Sequence, residues 1–391
     1  MRAGIAGKRG VASRLMAFLA VAGLAGACAT APVEGRATGK PPALIELMWP
    51  EPPLTPRVKF VDILGSEEDL GRKRSFGESF LQFLTGKRPE IYRLYQPVDV
   101  AVSDDGRRIY ASDFGQATIL CFDLDAKKVR IIGRDEPFAA PFGLALDEQE
   151  DLYVVEQAAR RVRIIDRSGK KAGVITSDTL VRPTDVAIDR ARGLVYVADA
   201  SRKNSDDHTV KVFDREGQLL RTVGEGKGDC DGCLYFPTYV AVDRDGNVYV
   251  SSTLNARVDV FDPNGTYLRT IGGRGTEFGN FDKPKGVALD SFANVYVADS
   301  GWSNVQIFNQ RGEVLLFFGG RGAYPGLLRN PTGIAIDRNN RIYVADYLNY
   351  QVTVYELVNT SAGDSLLDPF GAEKKGKTSV TKESATEGRK Q

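Results

Sequence analysis

The sequence of 391 residues predicts an all-β fold, a six-bladed β-propeller of four-stranded antiparallel blades. The first observation behind this prediction is a repeated segment. One copy reads PKGVALDSFANVYVADSGWSNVQIF and starts at Pro284; the others start 42 to 54 residues apart, at Pro97, Pro141, Pro183, Pro237 and Pro331. A recurring unit of this length with several strands is typical of propellers and solenoids.

The second observation is that the two ends of the repeat region complement each other. The sixth copy stops after VTVYELV without a fourth strand, whereas Arg57–Gly65, RVKFVDILG, resembles the fourth-strand runs of the other copies. We expect this N-terminal strand to close the last blade, which joins the chain ends and removes exposed sheet edges.

Each copy contains four strand-like runs: one after the proline, one containing a tyrosine, a VxVFD-type run, and a final run such as TYLRTIG, which ends at Gly272. Hairpin turns between them are predicted by Asp105-Gly106, Asp245-Gly246 and Asn264-Gly265, because glycine accepts the positive φ of such turns. The pattern P-x-G-V-A-D-turn-G-x-Y-V-A-D…N-x-V-x-V-F-D…G-x-G resembles the NHL repeat, from residue 57 to about residue 358. NHL proteins form six-bladed β-propellers, and they include protein-binding modules, sensor domains and a few lyases and hydrolases. The resemblance therefore predicts the fold more sharply than the function.

The N-terminus predicts export from the cytoplasm. A basic stretch, MRAGIAGKRGVASR, is followed by an apolar one, LMAFLAVAGLAGA, which together are typical of a signal peptide over residues 1–27. Residues 24–28, LAGAC, resemble a bacterial lipobox, with Ala25 in the place where leucine is usual; cleavage would leave Cys28 to carry lipid. Ordinary signal-peptide cleavage nearby is the alternative. Because Ala29 is not Asp, the resemblance implies the outer membrane of a bacterial envelope, facing the periplasm or the outside.

The remaining segments frame the propeller, predicted at residues 57–358. Residues 28–56 form a Pro-rich tether after the lipidated cysteine. The non-repeating insert 66–96 contains Phe76, Phe80, Phe83 and Leu84 at helical spacing, which predicts a short amphipathic helix that packs on the first blade, with a membrane or partner helix as the alternative. Residues 359–391 are polar and of mixed charge, and they predict a disordered tail.

The cysteines in the repeats have different expected roles. Cys121 occupies a strand position that is β-branched and apolar in the other copies, so we expect a buried thiol. Cys230 and Cys233 lie in an ordinary inter-blade loop, where an oxidising compartment favours a disulfide. A redox or metal role for this pair is the alternative, but the chain has one histidine and no c-type haem signal.

That histidine, His208, lies in a long polar loop and is interpreted as a solvated side chain. A single histidine does not support the His-dependent lyases among NHL-like propellers. Acidic side chains recur at the end of five of the six second strands, with Ser252 in the fourth copy, and we expect these side chains to accept backbone hydrogen bonds. A second acidic set is expected to form the hairpin turns. A calcium-dependent hydrolase at the propeller axis remains an alternative, since calcium takes several oxygen ligands; otherwise no cofactor is indicated.

The loops that join strand four to the next strand one, and strand two to strand three, must lie on the same face of the ring. We predict that this face binds a partner, because loops on a rigid scaffold usually carry binding residues and aromatic and arginine side chains favour interfaces. The candidate residues are Lys227, Arg274, Arg321, Trp302, Tyr347, Tyr350 and His208. The net charge of +1 argues against nucleic acid. The sequence thus predicts an envelope protein that binds a protein partner, with a calcium-dependent hydrolase or lyase, or a glycan or small-molecule sensor, as alternatives.

Overall fold

The computed structural model describes residues 47–71 and 91–360, which contain 25 β-strands and one short 3-10 helix, Glu67–Leu70. The strands, numbered along the chain, are β1 Met48–Trp49, β2 Val58–Leu64, β3 Pro97–Val102, β4 Arg108–Asp113, β5 Thr118–Asp123, β6 Lys128–Ile132, β7 Pro141–Leu146, β8 Leu152–Glu156, β9 Arg161–Ile165, β10 Lys171–Thr176, β11 Pro183–Asp189, β12 Leu194–Asp199, β13 Thr209–Phe213, β14 Leu219–Val223, β15 Pro237–Val242, β16 Val248–Ser252, β17 Arg257–Phe261, β18 Tyr267–Ile271, β19 Pro284–Leu289, β20 Val295–Asp299, β21 Asn304–Phe308, β22 Val314–Gly319, β23 Pro331–Ile336, β24 Arg341–Asp346 and β25 Gln351–Leu357.

The strands form six antiparallel sheets, one for each repeat, and this confirms the predicted six-bladed propeller. Blades 1 to 5 are β3–β6, β7–β10, β11–β14, β15–β18 and β19–β22. The first strands of neighbouring blades contact one another, which places them around the axis. Alternation of apolar and polar residues in short runs separated by Gly-containing turns explains why these segments form strands.

The sixth blade is closed by the N-terminal strand, as predicted. Strand β2 pairs antiparallel with β25, and the register places Val58 opposite Leu357 and Leu64 opposite Val352. A fifth strand, β1, then pairs with β2. The Trp49 ring in β1 lies 5.8 Å from that of Tyr355. Residues 47–56 of the predicted tether therefore contribute to the outer side of blade 6.

The hydrophobic core is divided among the spaces between blades. Six clusters of buried apolar side chains each combine residues from two neighbouring blades. Each second strand contributes one buried tyrosine to these clusters, the equivalents of Tyr296. Because every blade buries both of its faces against neighbours, removing one blade leaves two uncovered apolar faces.

Several predicted segments lie outside the described residues. These are the signal peptide, Cys28, the tether up to residue 46, the amphipathic helix around Phe76–Leu84, and the tail from residue 361. Across the residues that are described, no helix has the length and apolar character needed to cross a membrane.

Candidate functional site

The propeller has two faces of different composition. We call the face that carries the four-to-one and two-to-three connections the loop face, and the opposite face, which carries the hairpin turns, the turn face. Between them lies the axis, lined by the first strands of the blades.

The axis is closed in the middle by three side chains from the third position of the first strands. In blade order this position reads Asp99, Gly143, Asp185, Tyr239, Gly286 and Gly333. Asp99 and Asp185 are hydrogen-bonded to each other. The Tyr239 hydroxyl crosses the ring and donates to the Val98 carbonyl at 2.8 Å.

The two aspartates at the axis also join neighbouring blades. Oδ2 of Asp99 accepts the Leu144 amide at 2.7 Å, and Oδ2 of Asp185 accepts the Val240 amide at 2.9 Å. Burial raises the pKa of Asp99 to about 7 and also raises the pKa of Asp185. The pair therefore holds a proton at neutral pH and is a hydrogen-bonded plug.

The glycines at this position make room for the plug. A Cβ on Gly333 would lie 2.6 Å from the Cα of Asp99, and a Cβ on Gly286 would lie 2.7 Å from the Ile334 amide nitrogen. A Cβ atom at these distances would clash with the neighbouring first strand. The close approach of the first strands therefore requires glycine at both positions.

A funnel leads from the turn face to this plug. It consists of cavities of about 490 and 250 Å³ that share Val102, Val242, Leu289 and Ile336 as lining residues. Charged side chains surround its mouth: the Asp104 carboxylate accepts the Arg190 guanidinium at 2.8 Å and that of Arg338 at 2.5 Å. The funnel is blind, because the aspartate pair and Tyr239 close its inner end.

The acidic side chains at the ends of the second strands bind backbone amides, as predicted. Asp299 is representative: its oxygens accept the amides of Asp282, Lys283, Gly301 and Trp302 at 2.8 to 3.2 Å. The second acidic set forms the hairpin turns, also as predicted; Asp290, for example, accepts the Phe292 and Asn294 amides. Within residues 47–71 and 91–360, no three His, Cys, Asp or Glu side chains group closely enough to hold a metal ion.

The three cations predicted on the binding face hold the loops together. Arg274 donates to the Leu254 carbonyl at 2.8 Å, Arg321 to the Gly301 carbonyl at 3.0 Å, and Lys227 to the Lys203 carbonyl at 3.0 Å. Each therefore ties a four-to-one connection to the two-to-three loop of the preceding blade. Their equivalent positions in three successive repeats explain why they share this role.

His208 corrects the sequence interpretation. The side chain is 0% exposed, and its Nδ1 accepts the Phe236 amide at 3.2 Å while its ring packs edge-on against Tyr235. Burial lowers its pKa, and the nearby Lys227 charge lowers it further. The loop folds back over these residues, so His208 is a neutral part of the protein interior and not a solvated contact residue.

The cysteines lie where the sequence placed them. Cys230 and Cys233 are joined by a disulfide within the inter-blade loop, and their loop accepts hydrogen bonds from the Arg257 guanidinium. Cys121 is a free, buried thiol, and burial raises its pKa. Neither arrangement presents a reactive thiolate to solvent.

Exposed apolar side chains are concentrated on the loop face. Of the fourteen large apolar side chains that are exposed among the described residues, nine lie in the connections of this face and none lies in a hairpin turn of the turn face. The nine are Ile91, Tyr95, Phe114, Leu254, Phe278, Trp302, Tyr324, Leu348 and Tyr350. Predicted residues Trp302 and Tyr350 belong to this set, and Tyr347 beside them is half-buried.

Some of these side chains form pairs. Tyr350 stacks on Tyr95 with ring centroids 6.0 Å apart, and Phe114 packs edge-on against Phe142 at 6.2 Å. The pairs bring together blades 6, 1 and 2 on the loop face. The sequence analysis did not single out Tyr95 and Phe114, because its candidate residues all come from the loops of blades 3 to 6.

Two further groups were missed. The axis residues Asp99, Asp185 and Tyr239 could have been found by comparing the third position of the six first strands, where polar residues interrupt apolar runs. Lys285 could have been found at the second position, where the other copies read Val, Phe, Thr, Thr and Thr.

One blade of the ring matches a known repeat family. The NHL repeat family model matches residues 328–355, which span most of blade 6. This match supports the resemblance: blade 6 of the six-bladed ring contains a segment that matches the NHL repeat.

Two curated relatives share part of the sequence. Protein brain tumor of Drosophila melanogaster is 29% identical over 141 residues, which cover 34% of this chain and 12% of that protein. E3 ubiquitin-protein ligase NHLRC1 of Homo sapiens is 33% identical over 96 residues, which cover 25% of this chain and 23% of that protein. The matches thus span less than a quarter of either relative. Among solved structures, a gluconolactonase of Xanthomonas campestris has a TM-score of 0.54 at 17% identity, covering 68% of this chain and 86% of that chain, a likeness of fold alone.

Proposed function

We propose that this propeller is a protein-binding scaffold of the bacterial cell envelope and that its loop face receives the partner. The observation that carries the proposal is the unequal distribution of exposed apolar side chains between the two faces. Single exposed apolar residues are normal on a protein surface, but their concentration on one face of a rigid ring is typical of interaction sites.

The construction of the loop face supports this role. Its two-to-three loops are fixed by carboxylates beneath them and by cations beside them, as Asp299 and Arg321 show for the loop of Trp302. A face that is already ordered loses little conformational entropy when it binds. One relative is by its name a ubiquitin-protein ligase, an enzyme that acts on proteins, which supports a protein as the partner.

Capture of partners from native envelope extract tests the scaffold. The native chain is compared with a variant in which Leu254, Trp302 and Tyr350 are changed to Ala, and with a control variant in which Arg244, Phe292 and Arg338 of the turn face are changed to Ala. We expect a partner that the control retains and the loop-face variant loses at least tenfold, because apolar anchors dominate interface energies. A partner retained by the loop-face variant and lost by the control would overturn the assignment of the face.

The proposed anchor is a lipid attached to Cys28, which would hold the propeller at the outer membrane. Replacing Cys28 by Ser removes the acylated thiol. We expect loss of lipid labelling and release of the protein from the membrane fraction, because acyl chains supply the membrane affinity of an otherwise water-exposed protein. The test is fractionation with incorporation of labelled palmitate, with Cys121→Ser as the control; unchanged membrane retention of the Cys28 variant would exclude the anchor.

A further inference from the structure

Lys285 is an ammonium group placed at the loop-face end of the axis. It follows Pro284 in β19, one residue before the ring of side chains that forms the plug. The side chain is half-buried, and it makes no hydrogen bond or ion pair with any residue in the part of the chain that the structure describes. A partly desolvated charge without a partner is costly, and folded proteins usually pair it.

Other cations surround Lys285. Burial, with smaller contributions from the charges of Lys283 and Arg182, lowers the pKa of Lys285 to about 8. The guanidinium of Arg182 lies over the Phe236 ring at 4.7 Å, so its charge stays at this mouth of the axis. The loop face therefore carries three positive groups from blades 3 and 5 at its centre.

Two carboxylates close to this cluster accept hydrogen bonds from backbone amides. Asp299, whose charge reaches Lys285, accepts four backbone amides. Asp199, at the equivalent position in blade 3, accepts the amides of Val181, Arg182 and Ser201 at 2.6 to 2.9 Å. Asp282 lies against the backbone of Gly301. The carboxylates of Asp199 and Asp299 are thus already engaged by backbone amides.

Exposed apolar side chains lie on the two-to-three loops of blade 5 and of both neighbouring blades. Trp302 belongs to the two-to-three loop of blade 5, the blade of Lys285, and it is 40% exposed. The corresponding loops of blades 4 and 6 contribute Leu254, 43% exposed, and Leu348, 38% exposed. The blade of Lys285 and both of its neighbours therefore expose an apolar side chain on the loop face.

We propose that Lys285 receives a carboxylate of the protein partner, supplied by an acidic side chain that is flanked by apolar residues. The proposal rests on the scaffold function above and names the chemistry of the partner. A carboxylate fits better than a nucleic acid, because a nucleic-acid surface needs an extended set of cations, whereas this chain has a net charge of +1 and exposes apolar side chains on the same face as Lys285.

The test uses the full chain and defined fluorescent probes. One nonapeptide alternates Glu with Leu and Trp, a matched peptide has Gln for every Glu, and a third probe is a uridine nonanucleotide. The variants are Lys285→Met, which keeps the length of the side chain, and Lys285→Arg, which keeps the charge. Lys171→Met, an exposed lysine on the outer strand β10, is the control. Thermal midpoints verify that each variant is folded.

We expect the acidic peptide to bind the native chain, Lys285→Arg and Lys171→Met with similar affinity, and Lys285→Met at least tenfold more weakly. The glutamine peptide should bind the native chain at least tenfold more weakly than the acidic one. As a second readout, acetylation at pH 8 should modify Lys285 faster than Lys171, and the acidic peptide should slow it, because a bound carboxylate favours the charged amine.

Several outcomes would overturn the proposal. These are no binding of the acidic peptide up to a millimolar, equal binding of both peptides, unchanged binding to Lys285→Met, or Lys285-dependent binding of the nucleotide probe alone. A further result is that both peptides bind equally and that this binding is lost when Leu254, Trp302 and Tyr350 are changed to Ala. That result would contradict the carboxylate site but would agree with the scaffold function. Lys285-dependent binding of the acidic peptide without a captured envelope protein would support the anion site and count against the scaffold.

Discussion

At the residue scale, the central feature is the pair of carboxyl groups that closes the axis. Asp99 and Asp185 bind each other and the amides of the next blades, so they join four of the six blades at one point. A shared proton makes this possible, because two buried carboxylates in contact repel each other.

This pair predicts a stability that falls as the pH rises. Burial raises the pKa of Asp99 from 3.8 to about 7, so the folded protein keeps a proton that the unfolded chain releases near pH 4. The stabilising contribution is complete below about pH 4 and is lost as the pH rises through 7. Asp99→Asn cannot ionise, so the decline between pH 5 and 8 should become shallower, by on the order of 2–3 kcal/mol over this range.

Urea unfolding at pH 5, 6.5 and 8 measures this effect. The control is Asp178→Asn, since Asp178 is exposed in the connection between β10 and β11 and is not one of the axis residues. The native chain and the control should lose stability in parallel, and Asp99→Asn should lose less. Equal slopes for all three proteins would show that the pair does not titrate in this range.

The residue scale is also where sequence reasoning was least successful. His208 was interpreted as solvated because its neighbours are polar, but its environment is made by Tyr235 and Phe236, which approach only after the loop folds back. The plug was missed for a similar reason. The Tyr239 hydroxyl meets a carbonyl 141 residues away, a contact that exists only when the ring is closed.

At the element scale, closure by β2 is the feature on which the ring depends. Strand β2 pairs with β25 along its whole length, and Val58 and Leu64 are buried in two different inter-blade clusters. Strand β1 pairs only at Met48 and Trp49. The two strands should therefore differ in importance.

Truncation separates the two contributions. A chain that starts at Arg57 lacks β1 and loses the Trp49 contacts, which should cost about 2–3 kcal/mol without loss of fold. A chain that starts at Gly65 also lacks β2, and it should lose the whole ring cooperatively, because the faces of blades 5, 6 and 1 lose part of their cover. Circular dichroism melting and hydrogen exchange measure both. A stable, cooperatively melting chain that starts at Gly65 would show that β2 is dispensable.

At the scale of the whole molecule, the fold was predictable because its information is repeated. Six in-register copies specify the blades, and the missing strand of the last copy specifies closure. The residues of the candidate site differ from their equivalents in the other repeats, as Lys285 differs from five uncharged residues. Each such difference occurs once in the chain, so repetition does not help to interpret it. Arg274 is predicted to contact a partner, and its bond to the Leu254 carbonyl, which recurs as Arg321 to Gly301, is a structural role that the sequence alone did not indicate.

The central claim is that the loop face, and not the funnel on the turn face, receives a protein partner. Site-specific photo-crosslinking in the native envelope tests it most directly, with benzoylphenylalanine at Trp302 on the loop face or at Phe292 on the turn face. We expect discrete protein adducts from position 302 and none from position 292. Adducts from position 292 alone, or no adduct from either position, would contradict the claim.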